Sequence, residues 1–145
     1  MNLVSALVGL ALLLAATIAV GIFVQWRQGR PRHHVPHEAV QLERLGADTL
    51  GEEATLLQFS TEMCSRCPGV HRTLAAVADS RAGVRHLDVN LTHRPDIAKH
   101  FHVLQTPTTL ILDRDGIIQS RIGGTLNREV VELELNRLAG VTADA

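Results

Sequence analysis

Cysteine is scarce in this chain, with two among 145 residues, which argues against a disulfide-rich secreted scaffold. No second pair of cysteines is present to complete a four-ligand zinc site. Neither sign of charge is in excess: 14 Lys and Arg stand against 15 Asp and Glu, for a net charge of −1. Nothing in that balance suggests a nucleic-acid partner. No internal repeat or low-complexity tract is visible, so a repeat architecture is not expected. The length suits one small domain with something attached.

The attachment is marked by an absence of charge. Leu3 to Trp26 (LVSALVGLALLLAATIAVGIFVQW) holds no Lys, Arg, Asp or Glu. At about 1.5 Å per residue, a helix of this length crosses a hydrocarbon core about 30 Å thick. Trp26 ends the run, where an indole suits the lipid–water boundary. A cleaved signal peptide normally has a basic start and a shorter apolar core closed by small residues. Here Met1-Asn2 is not basic, and Ile22-Phe23-Val24 continue past the best candidate site, Ala19-Val20-Gly21. The expectation is a retained single-pass anchor over residues 1–26, contacting the membrane through residues 3–26. Arg27, Arg30 and Arg32 flank it on the C-terminal side only, so the positive-inside rule puts the remainder on the cytoplasmic face. The extracytoplasmic face is the alternative. Residues 27–38 (RQGRPRHHVPHE), with two prolines and one glycine, read as a polar linker. That leaves 39–145 for the folded domain.

The two cysteines stand together as Cys64-Ser65-Arg66-Cys67. This spacing brings two sulfurs within bonding reach across the first turn of a helix, so they can alternate between dithiol and disulfide without unfolding the chain. A structural staple would gain little from so short a loop. Ahead of them, Ala54 to Ser60 (ATLLQFS) reads as a buried strand. Behind them, Val70, Leu74 and Val77 recur at helical spacing, with Gly83 as a stop. Cys64 is therefore expected at or near a helix N-terminus, where unpaired N–H groups and the helix dipole favour a thiolate. Arg66 adds a positive charge that pushes the same way, and Pro68 is tolerated in the first turn.

Strand, CxxC and helix in that order resemble the thioredoxin family, and the chain downstream continues the resemblance. Val84 to Asn90 reads as the next parallel strand, and Pro95 to His102 as a short helix. Val103-Leu104-Gln105-Thr106-Pro107-Thr108 is similar to the family's loop carrying a cis-proline opposite the cysteines. Thr109 to Asp113 and Ile117 to Ile122 flank a hairpin turn, Asp113-Arg114-Asp115-Gly116. Gly123-Gly124 precede a last helix from about Asn127 to Leu138, with Val131, Leu135 and Leu138 on one face. The resemblance implies an α/β thioredoxin-like fold, a central mixed sheet flanked by helices, behind one transmembrane helix. It covers roughly residues 54 to 140. Only Val35 to Leu50 remains for the family's first strand and helix, so that unit is expected to be shortened or remodelled.

The resemblance further implies thiol–disulfide exchange with a disulfide-bearing protein substrate and a thiol donor or acceptor not identified by sequence. Cys64 is the expected nucleophile and Cys67 the resolving thiol. Thr106, beside Pro107, would pair with an extended substrate segment, and Gly123 would let the substrate approach closely. No cofactor is expected. Ser65, Arg66 and Gln58 are the candidate tuning residues. Gln58 stands where the family carries a buried acid, Met63 where it usually has tryptophan, and His86 where lysine is frequent. Glutamine cannot take a proton from Cys67, so that transfer would pass to water, Glu62 or His86.

Histidine supplies the competing readings. His33, His34 and His37 cluster in the linker, where they could bind metal but more often are simply solvated. His71, four residues after Cys67, could approach the site, although an exposed helical histidine is the plainer expectation. His93, His100 and His102 carry no inferable geometry. Two alternatives to the enzyme stay open: a metal-binding module using Cys64, Cys67 and histidines, and a non-catalytic membrane interaction module on the same fold.

Overall fold

A computed structural model describes residues 2–27, 29–31, 33 and 39–143. Leu3–Arg27 forms one 25-residue helix, α1, none of whose side chains is buried. Its length and apolarity are sufficient to cross a membrane. Among the described residues the next unit is short, as expected: a bridge from Ala39 to Ile117 and the four-residue helix α2, Leu42–Leu45. Gly46 ends α2 in the left-handed region, φ 69°, which glycine adopts without a Cβ penalty.

Strand β1 (Ala54–Ser60) leads into α3 (Cys67–Ser80), β2 (Val84–Asn90), α4 (Pro95–His100), β3 (Thr108–Asp113), β4 (Ile118–Gly123) and α5 (Arg128–Ala143). The sheet is four-stranded and mixed, in the order β2-β1-β3-β4. β1 runs parallel to β2, with Ala54 opposite Val84 and Ser60 opposite Asn90, and antiparallel to β3. A parallel pair needs a crossover, and α3 supplies it. The architecture is the one the resemblance implied, a thioredoxin-like α/β fold.

All seven residues of β1 are buried because the strand is covered on both faces. Leu56 joins Val70, Leu74, Val77, Val131 and Leu135 in a core beneath α3 and α5. Leu57 and Phe59 point the other way, into a second core with Ile97, Phe101, Leu110 and Leu112. The two-residue period of a strand accounts for that division. It also sends Gln58 to the same side as Leu56, towards α3.

Element ends differ from expectation where tertiary contacts intervene. α4 stops at His100, because His102 takes φ 50° and Arg121 on β4 donates to the carbonyls of Phe101 and His102 (2.5 and 3.3 Å). α5 continues past Leu138 to Ala143. The hairpin turn is as read: the Asp113 carboxylate accepts from the amides of Asp115 and Ile117 (both 2.9 Å), and Gly116 has φ 78°. Two described residues of the linker make hydrogen bonds to the domain, although none of those described is buried. Gly29 N donates to Gly123 O (3.0 Å), and His33 Nδ1 accepts from Arg137 Nη2 (2.7 Å) beside the buried Glu134 of α5.

Two glycines give a contrasting test of this packing. A Cβ at Gly51 would meet the backbone of Ala54, Gly83 (O at 2.7 Å) and Arg85, none of which can rotate away, whereas a Cβ at Gly69 in α3 meets nothing within 4 Å. Gly51→Ala is expected to destabilise the domain by about 1–3 kcal/mol, the usual cost of overpacking. Gly69→Ala is expected to stabilise it by about 0.5–1 kcal/mol through helix propensity. Thermal unfolding of the solubilised full chain followed by circular dichroism checks both signs.

Candidate active site

The chain leaves β1 at Ser60 and turns once before α3 begins. Cys64 N donates to Thr61 O (3.1 Å), closing that turn. α3 starts at Cys67 itself, with Arg66 as its N-cap. Cys64 therefore precedes the helix rather than opening its first turn, a correction to the reading from spacing alone. A disulfide joins Cys64 to Cys67 across a Cα separation of 5.5 Å. Cys67 is 5% exposed, while Cys64 is half-buried and the more accessible sulfur. Ser65 and Arg66 are exposed.

Beneath the cysteines lies a connected set of polar groups. Gln58 is fully buried, and its Nε2 donates to the carbonyl of Cys67 (3.2 Å). That commits the amide oxygen to accept from His86 Nε2 on β2 (3.1 Å), which places the proton of His86 on Nε2. Burial holds the pKa of His86 below the ordinary imidazole value; His71 pushes it the same way and Asp88 opposes. The His71 ring stands edge-on to His86, centroids 4.7 Å apart. His71 Nδ1 bonds Asp88 Oδ2 (2.9 Å), and Ser60 Oγ donates to the other oxygen, Oδ1 (2.5 Å). Cys64, Cys67, His71, Asp88, Glu62 and Arg72 line one open depression of about 450 Å³ over these groups.

Sequence reasoning missed Asp88 altogether. The available signal was the alternation of β2, which puts His86 and Asp88 on one face, together with the one-turn spacing of Cys67 and His71 on α3. His71 is exposed, as the plainer reading had it, yet it is bonded into the site and not merely solvated.

The Thr106-Pro107 peptide is cis, the form implied by the resemblance. Thr61 Oγ1 and Thr106 Oγ1 lie 3.2 Å apart, so the cysteine turn and the proline loop are joined by a hydrogen bond. Gly124 N donates to Pro107 O (2.8 Å), which brings the end of β4 to the same loop. Gly123 is less open than expected: the Gln105 side chain lies over its α-carbon and Gly29 N occupies its carbonyl. Two apolar side chains project into solvent beside the cysteines and the proline, Met63 at 94% and Leu104 at 96% exposed. Among the described residues no group of three His, Cys, Asp or Glu is placed to hold a metal ion. His34 and His37 lie outside the described residues, and His93, His100 and His102 do not line the depression.

Comparison with known proteins agrees with this geometry. The thioredoxin family model matches residues 44–136. Thioredoxin H2 of Arabidopsis thaliana is 26% identical over 83 residues, 57% of this chain and 61% of that protein. The chain thus spans about three fifths of that curated relative. Mitochondrial thioredoxin 3 from Saccharomyces cerevisiae, in its oxidized form, superimposes with a TM-score of 0.52 at 23% identity, covering 59% of this chain and 79% of that one. Thioredoxin 1 from Thermosipho africanus gives 0.53 at 18% identity, covering 61% and 98%. At such identities these two structures speak for the fold alone.

The depressed pKa of His86 has a consequence for stability. Below about pH 6.5, the ordinary imidazole value, the unfolded chain takes up a proton that the folded chain refuses. Stability is therefore full above that pH and falls as the pH drops from it towards the folded pKa. His86→Gln is expected to flatten this part of the profile, whatever its effect at pH 8. Denaturation midpoints of both proteins between pH 8 and pH 5 measure it; parallel profiles would show that His86 is not the responsible group.

Proposed function

The chain belongs to the thioredoxin family, and we propose that it is a membrane-tethered thiol–disulfide oxidoreductase acting on protein partners. The observation that carries this reading is the pair itself: an accessible Cys64 bonded to a buried Cys67 where β1 passes into α3. In the reducing direction, the Cys64 thiolate attacks one sulfur of a partner disulfide, and the other sulfur leaves as a thiolate. Cys67 then attacks Cys64 Sγ, breaking the mixed disulfide and releasing the second partner sulfur. The partner gains two electrons and the CxxC pair loses them; a thiol donor restores the pair. The reverse sequence oxidises a partner dithiol.

Residues 1–26 serve as the anchor, 27–38 as the linker and 39–145 as the redox domain. The arginines flanking α1 on one side support a cytoplasmic domain. Thr106 and Pro107 form the edge along which an extended substrate segment lies, with Gly123 bounding it. Ser65 and Arg66 in the turn and Gln58 beneath it tune the pair. Met63 and Leu104 provide apolar contact for a protein substrate, because solvent-facing side chains of this kind gain by burial.

Two experiments address the reading. Cys67→Ser in the full chain is expected to accumulate mixed disulfides with protein partners through Cys64, seen on non-reducing gels and absent from the double variant with Cys64→Ser. Recovery of no linked partner would count heavily against an oxidoreductase. Replacing Met63 and Leu104 together by serine removes about 1 kcal/mol of apolar contact at each. This lowers kcat/KM for insulin reduction about thirtyfold, while reduction of a small disulfide changes less than about twofold.

A further inference from the structure

We infer that His71, held by Asp88, accepts the proton of Cys67 during the resolving step and returns it to the departing partner sulfur. This rests on the exchange reading above and assigns a proton-transfer residue to it. Resolution requires Cys67 to attack as a thiolate, and its proton must go to a base within reach. Gln58 occupies the buried position beneath Cys67 and has no basic atom to offer. His86 is unsuited, because its Nε2–H is committed to Gln58 Oε1 and burial disfavours a second proton on the ring.

His71 meets the requirements that these two fail. It lies one helical turn beyond Cys67 on α3, so the two side chains share a face, and both line the depression. Its Nδ1 is bonded to Asp88 Oδ2 (2.9 Å), which orients the ring and leaves Nε2 as the nitrogen available for exchange. Asp88 is itself fixed through Oδ1 by Ser60 at the end of β1 (2.5 Å). Asp88 is thus a positioning residue. The other charged or titratable groups facing His71 are His86 on β2, Arg72 on its own helix and Glu62 in the cysteine turn.

The step balances. Cys67 S–H gives its proton to His71 Nε2; its sulfur attacks Cys64 Sγ; the Cys64–partner bond breaks; the partner thiolate takes the proton from His71. No co-reactant is needed beyond the partner disulfide.

The test uses the solubilised full chain, reduced, with a peptide disulfide carrying a fluorophore on one half and a quencher on the other. Rapid acid quenching separates formation of the mixed disulfide from its resolution. His71→Gln is expected to slow resolution about 10²-fold at pH 7, at the lower end of general acid–base effects. In a Cys67→Ser background the same substitution should leave attack by Cys64 within about twofold. The deficit should shrink towards pH 9, where hydroxide competes as the base, and added imidazole should restore part of the rate. Asp88→Asn should give a smaller loss with the same pH signature. Wild-type resolution in His71→Gln would overturn the assignment. So would a loss indifferent to pH and imidazole, or an equal loss in Glu62→Gln. A wild-type chain that forms no mixed disulfide at all would remove the oxidoreductase reading as well, so the two failures are distinguishable.

Discussion

The hydrogen bond from Gln58 to the carbonyl of Cys67 ties the site to the sheet. β1 is buried on both faces, and its alternation leaves no freedom: a slip of one residue would drive Leu57 and Phe59 towards α3 and bury Gln58 in the apolar layer opposite. A buried amide without partners costs about 1–3 kcal/mol. The same amide therefore favours an α3 that begins at Cys67 and a β2 register that brings the His86 ring within hydrogen-bond reach of it. Helix start, strand register and sulfur placement are three aspects of one constraint.

Two hydrogen bonds join the described residues after α1 to the domain. Gly29 N donates to Gly123 O, and His33 Nδ1 accepts from Arg137 on α5. Gly123 adjoins the end of the proline loop through the bond from Gly124 to Pro107. The chain that leaves α1 thus meets the domain beside the loop proposed to hold substrate.

Most of the fold was legible because its signals are local. β1 could be read from an apolar run between turn residues, α3 from Val70, Leu74 and Val77, and the hairpin from Asp113 to Gly116. The shortening of the first unit followed from the number of residues available. What could not be read depends on residues far apart in sequence. Arg121 ends α4 from across the sheet, Arg137 holds His33, and Asp88 meets His71 only because α3 crosses over β2. The placement of Cys64 ahead of the helix is a subtler case. Spacing alone cannot separate the last residues of a turn from the first of a helix, and here the Thr61–Cys64 turn decides the matter.

Gln58 also indicates why the polar groups at this site sit at its rim. An ionisable acid beneath Cys67 would have to be charged in an apolar interior for part of the catalytic cycle, at an electrostatic cost that grows with burial. Glutamine keeps that position neutral at every pH and spends both ends of its amide on the backbone and on His86. Charge can then reside only where water reaches, and Asp88 and His71 are both at such a place, with side chains 28% and 50% exposed. Water there screens the Asp88 charge and limits its leverage on the sulfurs. On the proposed reading, control of Cys64 falls to nearer groups such as Arg66, exposed in the same turn. The proposed proton acceptor, His71, thus lies on α3 beside β2, apart from the turn that carries Cys64 and Arg66.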